Sequence, residues 1–421
     1  MRVLFTMWPL PAHLYPTVPV AWALQGAGHE VCVASHPLMN DTITSLGLTA
    51  VALGDMQSMP SLAAIPDYLP DPRRREELAG LLGITEAEMS TWNMFSHYTI
   101  ASIRIFHDVQ GRDRVPGIDN LVDFARDWRP DLILWDLTWP SAAVAARLSG
   151  AAHARLLWGP DYCSWGHELF SGRGSGLDDP LVAAVAPVAD RYGLELDDEL
   201  MFGQWTVDPT PPAVRLAQTS RVARTVSVRR VPYAGAGVLP DWLYPVPKRP
   251  RIALSVGATA RRFENPNTLM ISSLFEMLSE LDIEVVATLT DGEIAGQPIP
   301  DNVRTIDYMP LTQLLPTCSA IVHHGGGGTM AAAVAQRLPQ LILQGEGLEA
   351  VAYSRYLTAM NGGLLINYRE QSVGQMRKRL LAVLNDPQYR QGAQALYADW
   401  LSLPSPNDIV PMLEKLTAQF R

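Results

Sequence analysis

The sequence predicts an α/β protein made of two doubly wound, Rossmann-like domains that face each other across a cleft. Three observations lead there. The chain has 421 residues, which at about 150 per domain is room for two or three. Short apolar runs without alternation, as expected of parallel strands covered on both faces, repeatedly precede helical segments. A proline-rich stretch, Pro245-Val246-Pro247-Lys248-Arg249-Pro250, separates one such alternation from a second.

The elements follow in order. Arg2 to Met7 is an apolar run that reads as a buried strand, and Trp8 to Pro16 reads as a proline-rich loop after it. Val18 to Gly28 reads as a helix closed by Gly28, and Glu30 to Ala34 as the next strand. Residues 55–115 carry Pro60, Pro66, Pro70, Pro72, the charged run Arg73 to Glu77, and then Trp92, Phe95, Tyr98 and Phe106. They read either as an acceptor-binding wall inserted on the core or as surface helices with a packed aromatic side. Leu132 to Trp135, the Ala-rich helix Ser141 to Gly150 and the strand Ala154 to Trp158 repeat the alternation. Residues 166–182, rich in Gly, Asp and Ser, read as a mobile loop. Beyond the proline-rich stretch come a strand at Ile252 to Val256, a helix at Thr268 to Leu281 and a strand at Glu284 to Thr290. A strand at Ala320 to His323, a helix at Thr329 to Gln336 and a strand at Gln340 to Leu343 complete the second set.

Composition narrows the function. Apolar residues at 48% and charged residues at 18% suit a folded globular protein rather than a disordered chain. The net charge of −10 has the wrong sign for an electrostatic grip on nucleic acid. Cys32, Cys163 and Cys318 are far apart and odd in number, which indicates no disulfide framework or structural zinc and suits a reducing cytoplasm. No uninterrupted apolar stretch reaches the roughly 18 residues of a membrane span, so a soluble protein without a membrane partner is expected.

Two loops carry the chemistry. His323-His324-Gly325-Gly326-Gly327-Gly328-Thr329 lies between a strand and a helix, where glycines admit a close ligand and the helix end favours an anion. It reads as a diphosphate seat, with His324 donating to a phosphate oxygen and Thr329 bonding phosphate or capping the helix. His13, in Pro11-Ala12-His13-Leu14-Tyr15-Pro16, lies past the end of the first strand and has the chemistry of a general base. No G-x-x-x-x-G-K-[ST] and no G-x-S-x-G occurs, and the first turn has no glycine; Ser35, not an acid, closes the second strand. A P-loop nucleotidase, an ordinary hydrolase and a Rossmann dehydrogenase are thereby disfavoured.

Taken together, three segments resemble the family 1 glycosyltransferases of GT-B fold, in particular the bacterial enzymes that attach deoxysugars to polyketide antibiotics. They are Arg2 to Val31, Trp128-Arg129-Pro130-Asp131-Leu132 through Trp158-Gly159-Pro160-Asp161, and Leu315-Pro316-Thr317-Cys318 through Leu338-Pro339-Gln340-Leu341. The resemblance covers almost the whole chain. It implies an acceptor-binding domain over 1–215, a connecting segment over 216–250, a nucleotide-sugar domain over 251–402, and a final helix over 403–421 packing back on the first domain. It implies an inverting, metal-independent transfer from a dTDP-sugar to an acceptor hydroxyl, without a cofactor. It is compatible with an auxiliary activator protein and with a homodimer.

By the same resemblance His13 deprotonates the acceptor, while His324 with Gly325, Gly326, Gly327, Gly328 and Thr329 stabilises the leaving diphosphate. Ser255 and Gly257 contribute from the loop after the strand at 252–256, and Met309 with Pro310 and Leu311 holds the base. The carboxylate orienting His13 lies about a hundred residues downstream in the family, which points to Asp108 or Asp113. Asp136 ranks ahead of both, because it ends a strand. Where relatives carry an Asp-Gln pair for the sugar's hydroxyls, this chain has Glu349-Ala350, which suits a deoxysugar with fewer hydroxyls. Trp8, Trp92, Phe95, Trp139 and Trp158 are candidates for stacking on the aglycone. Three alternatives stay open: a C-glycosyltransferase with Asp136 acting as base on a phenol, a sugar-nucleotide epimerase on the same fold, and a non-catalytic, partner-dependent subunit.

Overall fold

The computed structural model describes residues 1–60, 68–69, 71–107, 113–174, 176–216, 224–257, 268–344 and 350–421. The chain forms two compact units. One comprises Met1–Arg229 with Pro404–Arg421, and the other Arg230–Leu403.

The strands of the first unit are β1 (Arg2–Thr6), β2 (Glu30–Ser35), β3 (Thr49–Ala52), β4 (Leu132–Asp136), β5 (Ala152–Leu156), β6 (Trp205–Asp208) and β7 (Thr225–Ser227). They form one parallel sheet in the order β3-β2-β1-β4-β5-β6-β7. Val3, Leu4 and Phe5, like all of β4, are buried, which is why these runs lack the alternation of a half-exposed strand. Gly28, at φ +86°, takes the left-handed conformation that closes the helix Val18–Gly26. The sheet's direction of growth reverses between β1 and β4, and such a switch point is where ligands of open α/β sheets bind.

Three expectations need correction here. The loop after β1 contains a helical turn, Pro11–Leu14, begun by a proline pre-set for the first helical position. The expected mobile loop at 166–182 is largely helix, Tyr162–Arg173 and then Pro180–Arg191. Each helix is capped by the acid that precedes it: Asp161 accepts from the Ser164 N–H, and Asp179 from those of Leu181 and Val182. Its Gly166 is there for packing, since a Cβ on it would lie 2.1 Å from the Phe95 ring. Finally, the first unit runs past residue 215, because β7 completes its sheet.

Residues 231–250, expected as a connecting segment, are held by the second unit. The Gly237 carbonyl accepts from Gln313 at 2.7 Å, and the Arg304 guanidinium lies over the Trp242 ring at 4.7 Å. That unit's strands are β8 (Arg251–Ser255), β9 (Glu284–Thr288), β10 (Val303–Ile306), β11 (Ala320–His323), β12 (Gln340–Leu343) and β13 (Gly363–Ile366). They pair in parallel in the order β10-β9-β8-β11-β12-β13, with a switch point between β8 and β11. Ser255 lies opposite His323 in that pairing, so the loops after β8 and β11 emerge side by side.

The C-terminal helix Pro406–Phe420 belongs to the first unit. It packs against the helix Val18–Gly26 and β5, with Glu414 2.9 Å from His29 and Phe420 5.7 Å from the Trp205 ring. Among the described residues no helix is long and apolar enough to cross a membrane.

Candidate active site

At the first sheet's switch point the loop after β1 and the end of β4 bring His13 and Asp136 together. Asp136 Oδ2 accepts from His13 Nδ1 at 2.7 Å, and both residues are buried. Asp136 Oδ1 accepts from the backbone N–H and the hydroxyl of Thr138, at 2.9 and 2.7 Å. Burial alone would push this carboxyl up, but the neighbouring His13, its hydrogen bond and the two Thr138 bonds outweigh it and hold the carboxyl below its usual range. A fixed carboxylate on Nδ1 leaves Nε2 as the ring's basic atom. The Tyr98 hydroxyl stands 3.4 Å from that Nε2, a long contact of the kind that tightens when a substrate arrives. Tyr98 follows Phe95 on a π-helical segment, Met94–Thr99, an irregularity common at functional sites.

The expected aromatic wall divides into two groups. Trp8 and Trp158 flank the base, their ring centroids 5.0 and 4.4 Å from that of His13. The segment bearing Trp158 is tied down by Arg155, a buried guanidinium bonded to Asp161, Ser164 and Thr206. Phe95, Trp92 and Trp139 are corrected to core residues. Trp139 stacks on Phe106 at 4.8 Å, and Phe95 is enclosed by Trp92, Trp165 and Phe170. The three candidate acids also separate: Asp136 reaches His13, Asp113 is exposed with its carbonyl bonded to Arg191, and Asp108 lies outside the described residues.

In the second unit His323 and His324 take different roles. His323 is buried, its Nδ1 accepting from the Gly325 N–H at 3.1 Å and its Nε2 donating to Gln340 Oε1 at 3.0 Å. It therefore fixes the first glycine of the loop. His324 is the residue whose ring the glycines surround. A Cβ on Gly257 would lie 2.5 Å from its Cε1, and a Cβ on Gly326 2.5 Å from its Nε2. Its buried Nδ1 has no hydrogen-bond partner among the described residues, while its backbone N–H donates to the Ser255 carbonyl. Burial pushes the His324 imidazole down to about 4 against the opposing pull of Ser255.

The helix begins at Gly327, two residues earlier than expected, with Gly326 as its uncapped first flanking residue. Thr329 is consequently inside the first turn and does not cap it. Met309 is corrected as well: its side chain is buried with Leu243, Ala253, Leu314 and Leu315. Glu349 lies outside the described residues.

The buried imidazoles set an acid limit on stability. Burial pushes His107 down to about 4 and His323 to about 3, and His107 Nε2 accepts the Ser141 N–H that starts the helix Ser141–Ser149. A folded-state value below the ordinary one means stability that is full above about pH 6.5 and lost as pH falls toward 4. The thermal midpoint is expected to drop steeply between pH 6.5 and 4.5. A flat midpoint across that window would contradict the neutral, hydrogen-bonded state of these rings.

One Rossmann-like unit thus carries a buried histidine–carboxylate pair, and the other a histidine–glycine loop at a helix start. Comparison with known proteins identifies the kind of protein. The N-terminal domain described as "Erythromycin biosynthesis protein CIII-like" matches residues 22–257, and the C-terminal domain of the same description matches residues 272–416. The chain is 39% identical to aclacinomycin-T 2-deoxy-L-fucose transferase of Streptomyces galilaeus, covering all of this chain and 97% of that one. It is 38% identical to 10-deoxymethynolide desosaminyltransferase of Streptomyces venezuelae, covering all of this chain and 98% of that one. The solved glycosyltransferase VinC, in complex with dTDP, matches with a TM-score of 0.81 and 30% identity over the full length of both chains. The chain is a glycosyltransferase of GT-B fold. It belongs to the erythromycin biosynthesis protein CIII-like family.

Proposed function

We propose that the protein transfers a deoxysugar from a dTDP-sugar to a hydroxyl of a polyketide aglycone, with inversion at the anomeric carbon. The observation that carries this reading is the buried His13–Asp136 pair with Nε2 facing Tyr98. The acceptor oxygen attacks the anomeric carbon as its proton passes to Nε2, and the bond from that carbon to the diphosphate oxygen breaks. Asp136 holds the tautomer and stabilises the imidazolium that forms. On the donor side, the helix start at Gly327 and the Nδ1 of His324, which has no hydrogen-bond partner among the described residues, meet the charge that grows on the leaving diphosphate. In this reading the protein supplies that stabilisation itself, with no metal or cofactor. The relative named for 2-deoxy-L-fucose transfer and the dTDP complex of VinC support the donor class.

Thermal unfolding with dTDP, UDP and NAD in turn tests the reading. At about 100 times its dissociation constant a ligand adds roughly 2.7 kcal/mol to the native state. dTDP is expected to raise the midpoint and NAD to leave it unchanged. A shift with UDP but not dTDP would replace the donor, and a shift with NAD alone would remove the transferase reading.

A further inference from the structure

We infer that His107 is a positioning residue for the transfer: it ties the helical segment that carries Tyr98 to the loop that carries Asp136, and so fixes the two partners of His13 relative to each other. The inference rests on His13 being the base and adds to that reading a residue that acts through its neighbours. Tyr98 and His107 belong to one helical run. The π-helical Met94–Thr99 continues without a break into Ile100–Ile105, and His107 lies in the turn that closes it, its N–H donating to the Arg104 carbonyl. Its ring is buried and bonded at both nitrogens. Nε2 accepts the Ser141 N–H at 3.0 Å, and Nδ1 donates to the Ile103 carbonyl at 2.5 Å. The tautomer follows from the partners, since a backbone N–H can only donate and a carbonyl can only accept. Burial, against the pull of Ile103, keeps the imidazole neutral near pH 7, so Nε2 remains an acceptor there.

What the bond joins gives it its effect. Ser141 is the first residue of the helix after β4, and its N–H is one of the free donors of a helix start. Pro140 before it has no side chain that could cap, so His107 supplies the acceptor from another part of the chain. Between Asp136 and Ser141 the chain is tightly turned: the Asp136 carbonyl accepts from the Trp139 N–H at 2.7 Å, and its Oδ1 takes both Thr138 donors. A shift at Ser141 is therefore passed to the carboxylate. Beside the bond Phe106 stacks on Trp139 at 4.8 Å. Stacked rings hold two segments together but tolerate sliding, whereas a directional hydrogen bond fixes the register. From the two joined segments, Tyr98 stands 3.4 Å from His13 Nε2, and Asp136 2.7 Å from Nδ1. Misplacing such groups by about 1 Å can cost on the order of 10²-fold in rate.

His107→Asn and His107→Gln in the full chain test this. A glutamine carries its amide near the place of Nε2 and can still accept from Ser141, whereas an asparagine ends near the place of Nδ1 and cannot. The first readout needs no substrate: the low-field proton resonance of the His13–Asp136 hydrogen bond, assigned by its loss in Asp136→Asn. The buried His167–Asp179 pair, 2.5 Å apart in the same unit, gives a second such resonance that reports an intact fold. His107→Asn is expected to shift or broaden the His13 signal and leave the His167 signal in place. It is expected to lower kcat by about 10- to 100-fold, with acceptor KM and dTDP affinity within about threefold of native. His107→Gln is expected to restore both the signal and most of kcat. A native His13 signal and kcat in His107→Asn would overturn the inference, and so would equal losses in the two variants. Loss of both resonances in His107→Asn would overturn it too, by making the bond a requirement of the fold. Transfer that is indifferent to Asp136→Asn would remove His13 as the base and this inference with it, whereas transfer sensitive to Asp136→Asn and indifferent to His107→Asn would overturn this inference alone.

Discussion

Asp136→Asn is expected to lower kcat by about 10²- to 10⁴-fold while leaving dTDP affinity as in the native protein. The size of the effect comes from the wiring of the carboxylate. Oδ1 accepts two bonds from Thr138, one of them from a backbone N–H that has no choice but to donate. An asparagine must therefore keep its oxygen on Thr138 and turn its amide NH₂ toward His13 Nδ1. That nitrogen would then accept, the ring proton would move to Nε2, and the base would have no lone pair for the acceptor. The substitution keeps shape and volume, so a folding defect is not expected, and dTDP binding checks that the protein is intact. Single-turnover transfer to the cognate acceptor is the measurement. A kcat within a few-fold of native would show that Nε2 does not take the proton.

The contrast between Asp136 and Tyr98 shows what was legible before the structure. Strand ends are readable from apolar runs: β11 and β12 have the limits the sequence predicts, Ala320–His323 and Gln340–Leu343. An acid ending β4 could therefore be placed beside the loop after β1 from topology alone. Tyr98 reaches His13 from a helical insertion whose path no periodicity records. The tryptophans failed differently. Sequence places an aromatic residue near a site but does not say whether its ring faces a ligand, the base or the core; Trp158 flanks His13 while Trp139 stacks on Phe106. Gly166 likewise reads as looseness and proves to be a packing requirement, because the space is taken by Phe95.

Packing against a side chain also governs the donor loop, and Gly257→Ala is the sharpest probe of it. The substitution is expected to weaken dTDP binding by at least about tenfold, the equivalent of roughly one charge-assisted hydrogen bond, for a stability cost of about 1–2 kcal/mol. Gly257 sits at φ +91°, and a Cβ there would stand 2.5 Å from His324 Cε1 and 2.6 Å from its Nε2. Backbone strain accounts for the stability term. The contact accounts for the binding term, because the His324 ring must leave its place beside Gly257. Gly296→Ala separates the two contributions. Gly296 has φ +75° with nothing within 4 Å of its Cβ position, so its alanine carries the strain without displacing a neighbour. Both variants are expected to unfold at lower temperature, and only Gly257→Ala to lose dTDP affinity. Equal dTDP affinity in the two would mean that the His324 ring does not hold the diphosphate, and the donor half-site would then rest on the helix start.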